Sequence, residues 1–372
     1  VDRVNGGGTL GSHEIALTDQ LLVRHGGDPG VRTLASAVYS RLARQEHAGR
    51  RVSEATAFAR RAASLDDRPA GTWLLLAQLA VEAGRWADAE DAARAALARE
   101  ADSAAAGKLL GYALVRLDRA PEAVEVLEAA LRHGPDLDTQ GLLHRVRQGL
   151  RSESGMAARQ LAHFTVRYDG GEHEEVGREI LAALDRHHAT LARAFDHEPA
   201  APVPVILFTR QAYYDASGAP AWSGGAYDLL DGRVRIPIGG LTRSLTPDMD
   251  RTLVHELTHA FVADLSRGTA PREVHEGLAQ YMEGRRLQDD LDAPGLRALA
   301  DGRTGGPRGY YLLALGHVEH LVAERGLGGL NDLLRAMART GSVDAAFREV
   351  YGQAPGESLE AFRRRLRQQH GS

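Results

Sequence analysis

V-H-E-L-T-H-A at residues 254–260 and V-H-E-G-L-A-Q-Y at residues 274–281 are the two stretches that decide how this chain is read. In the first, His255 and His259 stand four apart, so on a helix they project from one face about one turn apart and can reach one cation. The flanks predict that helix. Thr246 is a capping residue, Pro247 suits the first turn, and Asp248 and Asp250 complement the positive end, with the helix running to about Ser266. Leu253, Val254, Leu257, Ala260 and Phe261 supply its apolar contacts. Glu256, one position after His255, swings to the side of the metal, where it suits a proton acceptor better than a ligand.

The second stretch completes the set. A helix starting near Pro271 offers Glu276, and two neutral imidazoles with one carboxylate leave a fourth position open for water, as catalytic zinc sites require. The competing donor is the adjacent His275, which the absence of a longer histidine motif disfavours relative to Glu276. His187, His188, His317 and His320 are expected to be surface or packing residues.

Upstream of the two helices the texture is mixed. Residues 163–168 alternate like a strand that stops at Asp169-Gly170-Gly171, and residues 174–194 carry helical periodicity. Residues 203–208 form a β-branched run that suits a buried strand. Residues 225–238 alternate around Asp231-Gly232 as a hairpin, whose start, Gly224-Gly225-Ala226-Tyr227, is a candidate edge strand for pairing an extended peptide. A few strands followed by helices alone is an α+β order, here with a small, mostly antiparallel sheet.

From about residue 33 to residue 151 the chain repeats with period 34. Aligned from Ser36, Ala70 and Ala104, the units place Leu42, Leu76 and Leu110 at one position and Ala43, Ala77 and Gly111 at the next. Ala55, Ala89 and Ala123 match further on, as do Ala62, Ala96 and Ala130. Small residues at fixed intervals let helices cross closely while neighbouring leucines interlock. The pattern resembles the tetratricopeptide repeat, an all-α solenoid, with residues 140–150 as a capping helix. Residues 1–31, Gly-rich at Gly6-Gly7-Gly8, are expected to be a flexible leader with at most one docking element. The expected divisions are therefore 1–31, 32–153 and 154–372. The last comprises the sheet and metal helix (154–266) and a helical subdomain (267–372).

Residues from about Phe164 to Phe362 resemble a gluzincin of the peptidase MA-like group, a zincin-like fold that often follows tetratricopeptide repeats in bacterial proteins. The likeness rests on A-P-A-W-S-G-G-A-Y-D within residues 214–237, on H-E-L-T-H-A, on H-E-G-L-A-Q-Y-M-E-G and on residues 311–326. It implies one zinc ion on His255, His259 and Glu276, with Glu256 as general base. It also implies a tyrosine opening the helix at 312–325, where Tyr311 aligns as donor to the oxyanion; Tyr310, His317 or no such donor are the alternatives. The group often carries tryptophan three positions before the third ligand, where this chain has Glu273.

Composition narrows the rest. A net charge of -5 over 372 residues carries no nucleic-acid footprint, and Arg363-Arg364-Arg365 suits the solvated face of a last helix. No apolar run is long enough for a membrane span. Without cysteine, thiolate ligands and disulfides are excluded. Arginine almost wholly replaces lysine, Lys108 alone remaining, which suggests a GC-rich bacterial genome. The start at Val1, lacking methionine, suggests trimming and favours a periplasmic or otherwise extracytoplasmic address. The expectation is a zinc-dependent peptidase acting on a peptide or protein substrate, with a repeat array that recruits the substrate or a protein partner. The alternative is an interaction scaffold whose peptidase-like domain binds zinc but is weakly active or gated by a partner.

Overall fold

Alanine and glycine set the helix spacing of the N-terminal half. The computed structural model describes residues 9–168, 174–209, 213–214, 225–238 and 245–370, and it divides into two compact units, Val1–Leu150 and Arg151–Ser372. Residues 1–8, 169–171 and 219–224, which carry the glycine-rich start, the strand stop and most of the A-P-A-W-S-G-G segment, lie outside the described residues.

The first unit contains α1 (Ser12–His25), α2 (Pro29–Ala48), α3 (Val52–Leu65), α4 (Ala70–Glu82), α5 (Trp86–Arg99), α6 (Ala104–Arg116) and α7 (Ala120–His133); α8 (Leu137–Ser152) ends it. Helices α3, α5 and α7 begin at steps of 34 residues, as do α4 and α6. The repeat in the sequence is thus a repeat of helix pairs. Ala43, Ala55, Ala77, Ala89 and Ala123 are fully buried. At Gly111 a methyl group would stand 2.4 Å from a Leu127 Cδ carbon, so α6 and α7 pass at a distance that only hydrogen permits. The turns inside the three pairs share one conformation, with Arg50, Gly84 and Asp118 all in the left-handed region (φ 58°, 64° and 60°).

The expected leader is a partner of this array. Leu10, 2% exposed, clusters with Val38, Tyr39, Leu42 and Ala62, and its N–H and C=O both bond the side-chain amide of Gln45. That pairing ties the chain just ahead of α1 to Gln45 of α2, so α1 is the docking element within the expected leader.

The second unit is α+β. Strands β1 (Ala157–Gln160), β2 (Phe164–Tyr168), β3 (Val203–Phe208), β4 (Ala226–Asp228) and β5 (Arg233–Pro237) form one sheet in the order β1-β2-β3-β5-β4. The β1–β2 and β4–β5 pairs are antiparallel, whereas β2–β3 and β3–β5 are parallel. The sheet is therefore mixed rather than mostly antiparallel. Helix α9 (Glu174–Phe195) accounts for the parallel β2–β3 pair, because a crossover helix returns the chain to the end of the sheet where it started. Strand β3, paired on both sides, is buried at every position, as its unbroken apolar run requires.

Seven further helices follow: α10 (Pro247–Leu265), α11 (Arg272–Met282), α12 (Leu287–Asp290), α13 (Ala293–Ala300), α14 (Gly306–Thr340), α15 (Val343–Tyr351) and α16 (Pro355–His370). One core joins Phe164 and Val166 of β2, Val205 and Leu207 of β3, Val234 and Ile236 of β5, and Leu253, Leu257 and Phe261 of α10. Leu184 and Leu191 of α9, Leu278 of α11 and Leu321 of α14 belong to the same core. Helix α14 starts six residues before the expected Leu312 and is broken at Gly326, whose φ of 67° and ψ of 179° are open essentially to glycine alone. Pro307 at its first turn explains the early start. Tyr310 and Tyr311 are consequently inside the helix, not ahead of it. Among the described residues no helix is long and apolar enough to cross a membrane.

Candidate metal centre

Helix α10 forms where its caps predict, with the Thr246 side chain accepting from the Met249 N–H and Pro247 in the first turn. Two imidazole–carboxylate pairs fix it against α9 and the residues after it: His187 Nε2 to Asp250 Oδ1 at 2.9 Å, and His197 Nε2 to Asp264 Oδ2 at 2.7 Å. On this anchored helix His255 and His259 present rings 4.9 Å apart and nearly perpendicular, at 85°.

Helix α11 brings the third donor. Glu276 Oε2 lies 3.6 Å from His255 Nε2 and 3.9 Å from His259 Nε2, and one ligand atom from each residue can be taken with all three within 4.8 Å of one another. A tetrahedral ion with bonds of about 2.0–2.2 Å holds its donors roughly 3.5 Å apart, so the trio fits a single zinc with small adjustments. The neighbour of Glu276 explains how the helix gets there. A methyl group on Gly277 would stand 2.4 Å from the Ala314 carbonyl oxygen of α14, so this glycine lets the two backbones touch. Gln280 ties the same interface, donating to the Glu276 carbonyl at 3.0 Å and the Tyr311 carbonyl at 2.9 Å.

Glu256 is 6% exposed and lines the same cleft without joining the donor group. Edge strand β4 and the residue before it shape its seat: a methyl on Gly225 would meet Glu256 Cγ at 2.8 Å, and the Tyr227 N–H donates to the carboxylate. Burial foremost, then the charge of Glu276, pushes the Glu256 carboxyl up to about 7, with His255 opposing. Burial disfavours charge on His255 as well, but the Glu276 and Glu283 carboxylates outweigh it and raise that imidazole to about 10. His259 is held well below its ordinary value by burial and by the charge of His255. The acidic pocket therefore attracts one positive charge where the donors meet, a role that a bound cation would take over with release of the proton.

Glu283 is a residue that sequence reasoning did not assign. Its Oε2 lies 3.3 Å from His255 Nδ1, the imidazole nitrogen that a metal on Nε2 leaves free, so it orients that ring. Its signal was present, since it follows Glu276 by two helical turns on one face. Arg272, Gln280 and Arg285 also border the cleft unforeseen. Tyr310 and Tyr311 both line it, and Tyr310 Oη is buried without a hydrogen-bond partner among the described residues.

His275 stays outside the trio, 3% exposed, with burial lowering it to about 4. His188 packs between His163 and Phe261, His317 bonds Ser358 at 2.9 Å, and His320 is buried near Phe362; none borders the cleft. Of the candidate edge strand, Gly224 lies outside the described residues, and Ala226 and Tyr227 fall on β4. The cleft measures about 1110 Å³, room for several residues of an extended peptide. The chain matches no family model and no curated protein.

Proposed function

We propose that the Arg151–Ser372 unit is a zinc-dependent peptidase of the gluzincin type. The observation that carries the reading is the meeting of His255, His259 and Glu276 beside Glu256, a buried carboxylate that stands next to the donors without being one. A purely structural zinc is usually closed by four protein donors and needs no base. His255, His259 and Glu276 would hold the zinc, which would supply Lewis acidity at the open fourth position.

The chain's own groups account for the proton traffic. Glu256, buried beside the donors, takes the proton of the attacking water and returns it to the departing amine. Glu283 keeps the His255 ring in the orientation that aims Nε2 at Glu276. Tyr311 is the donor proposed for the oxyanion, from its place in the lining of the same cleft as Glu256. The paired helices of the N-terminal unit are proposed to be a tetratricopeptide-like array that recruits a protein substrate or partner.

The test is Glu256→Gln in zinc-loaded protein. Zinc content is retained and cleavage of a broad peptide library falls by about 10²- to 10⁴-fold. Undiminished cleavage would remove Glu256 from the mechanism. If the zinc-loaded wild type cuts nothing in the library, with or without a partner captured on the helical array, the interaction-scaffold reading takes over.

A further inference from the structure

Arg272 opens α11 one turn before Glu276, and its side chain, 69% exposed, borders the cleft. Among the described residues its polar contacts are long: Nε is 3.6 Å from Glu276 Oε1 and Nη2 is 3.5 Å from the Tyr311 hydroxyl. The guanidinium also lies 5.5 Å from the centre of the Tyr310 ring, which supports its plane from one side. Arg285, the other arginine of the cleft, is differently placed. It is committed to Asp290 at 2.6 and 3.2 Å and to Gln280 at 3.1 Å. An arginine has five N–H donors in a planar fork that matches a carboxylate, and among the described residues those of Arg272 meet no acceptor closer than 3.5 Å.

The position relative to the donors is informative. Glu276 Oε2 faces the two imidazoles while Oε1 faces Arg272, so a single carboxylate separates the guanidinium from the centre. A ligand with one end at the centre therefore reaches the guanidinium by passing beside Glu276. The cleft also contains Glu273 and Glu283, which disfavour a doubly charged anion such as phosphate and leave a single carboxylate as the matching ligand.

We propose that Arg272, backed by Tyr310 and Tyr311, binds a carboxylate carried by the substrate residue that follows the cleaved bond. The inference rests on the peptidase reading and names its substrate class: peptides ending one residue past the bond in a free carboxylate, or bearing an acidic side chain there. A peptide presenting a free amine at that place is rejected by the same charge.

Binding decides it without requiring turnover. Zinc-loaded Glu256→Gln protein is titrated calorimetrically with a short N-acylated peptide as free acid and as C-terminal amide, and with an amidated pair differing only as Asp or Asn at the following residue. The free acid or the Asp peptide, whichever is the source, binds about ten- to a hundredfold more tightly than its neutral twin. Arg272→Ala and Arg272→Gln erase that difference, with zinc content measured on each because Arg272 adjoins Glu276. Equal affinities within both pairs overturn the proposal, as does an acid preference that survives both substitutions. Hydrolysis by wild type is followed in parallel. Cleavage with no acid preference sinks the carboxylate site alone, whereas acid-selective binding with no cleavage of any peptide sinks the peptidase reading and leaves the site standing.

Discussion

Replacing Glu256 by glutamine should stabilise the metal-free protein, and by an amount the structure sets. The carboxyl is 6% exposed, and burial chiefly, with Glu276 assisting, raises it from 4.5 to about 7. The sign follows from proton counts. Between pH 4.5 and about 7 the folded chain keeps a proton that the unfolded chain has released, so stability falls as pH rises through this window and levels off above it. A change of that size corresponds to on the order of 3 kcal/mol. Glu256→Gln carries no such proton, keeps the shape of the side chain and lacks the slope. In urea unfolding with chelator present, the variant and the wild type should be closest near pH 4.5, and the variant should lead by on the order of 3 kcal/mol at pH 8. Parallel stability curves across that range would refute the burial argument, and with it the picture of a carboxylate held against its own preference beside the donors.

Glu283→Gln removes the carboxylate 3.3 Å from His255 Nδ1 and should weaken zinc affinity about 10- to 100-fold in chelator competition. Unchanged affinity would deny it an orienting role. Asp118→Gly relieves a left-handed non-glycine residue at φ 60° and should stabilise the N-terminal unit by about 1 kcal/mol, read from its thermal midpoint. A lower midpoint would mean that the Asp118 side chain contributes more than its backbone costs.

Local patterns carried most of what was legible in the sequence. The pair His255 and His259 needs only helical periodicity and a cap, both encoded within 254–260 and at Thr246. The 34-residue repeat was readable because Ala55, Ala89 and Ala123 must all be small at the same helix crossing. What depended on partners was not. Strand β1 is exposed at all four positions, so Ala157–Gln160 shows no alternation and exists through its pairing with β2. The shared turn of the repeats was hidden because two of its three left-handed residues, Arg50 and Asp118, are not glycine. The parallel β2–β3 pair was implied by the strand–helix–strand order of β2, α9 and β3, yet alternation alone favoured hairpins. The start of α14 was masked by Gly305, Gly306 and Gly309, which look like loop composition. A methyl on Gly309 would in fact meet the Thr304 carbonyl oxygen at 2.3 Å. Helical spacing put Glu283 on the face of Glu276, but its pairing with His255, like the place of Arg272, shows only in the folded cleft.

The account turns on one cation held by His255, His259 and Glu276. Elemental analysis of purified protein, wild type beside Glu276→Ala after dialysis against a mild chelator, tests this most directly. One zinc per wild-type chain and a depleted variant is the expected result. An equal metal content in the two proteins, or none in wild type that still cleaves peptides, would contradict it.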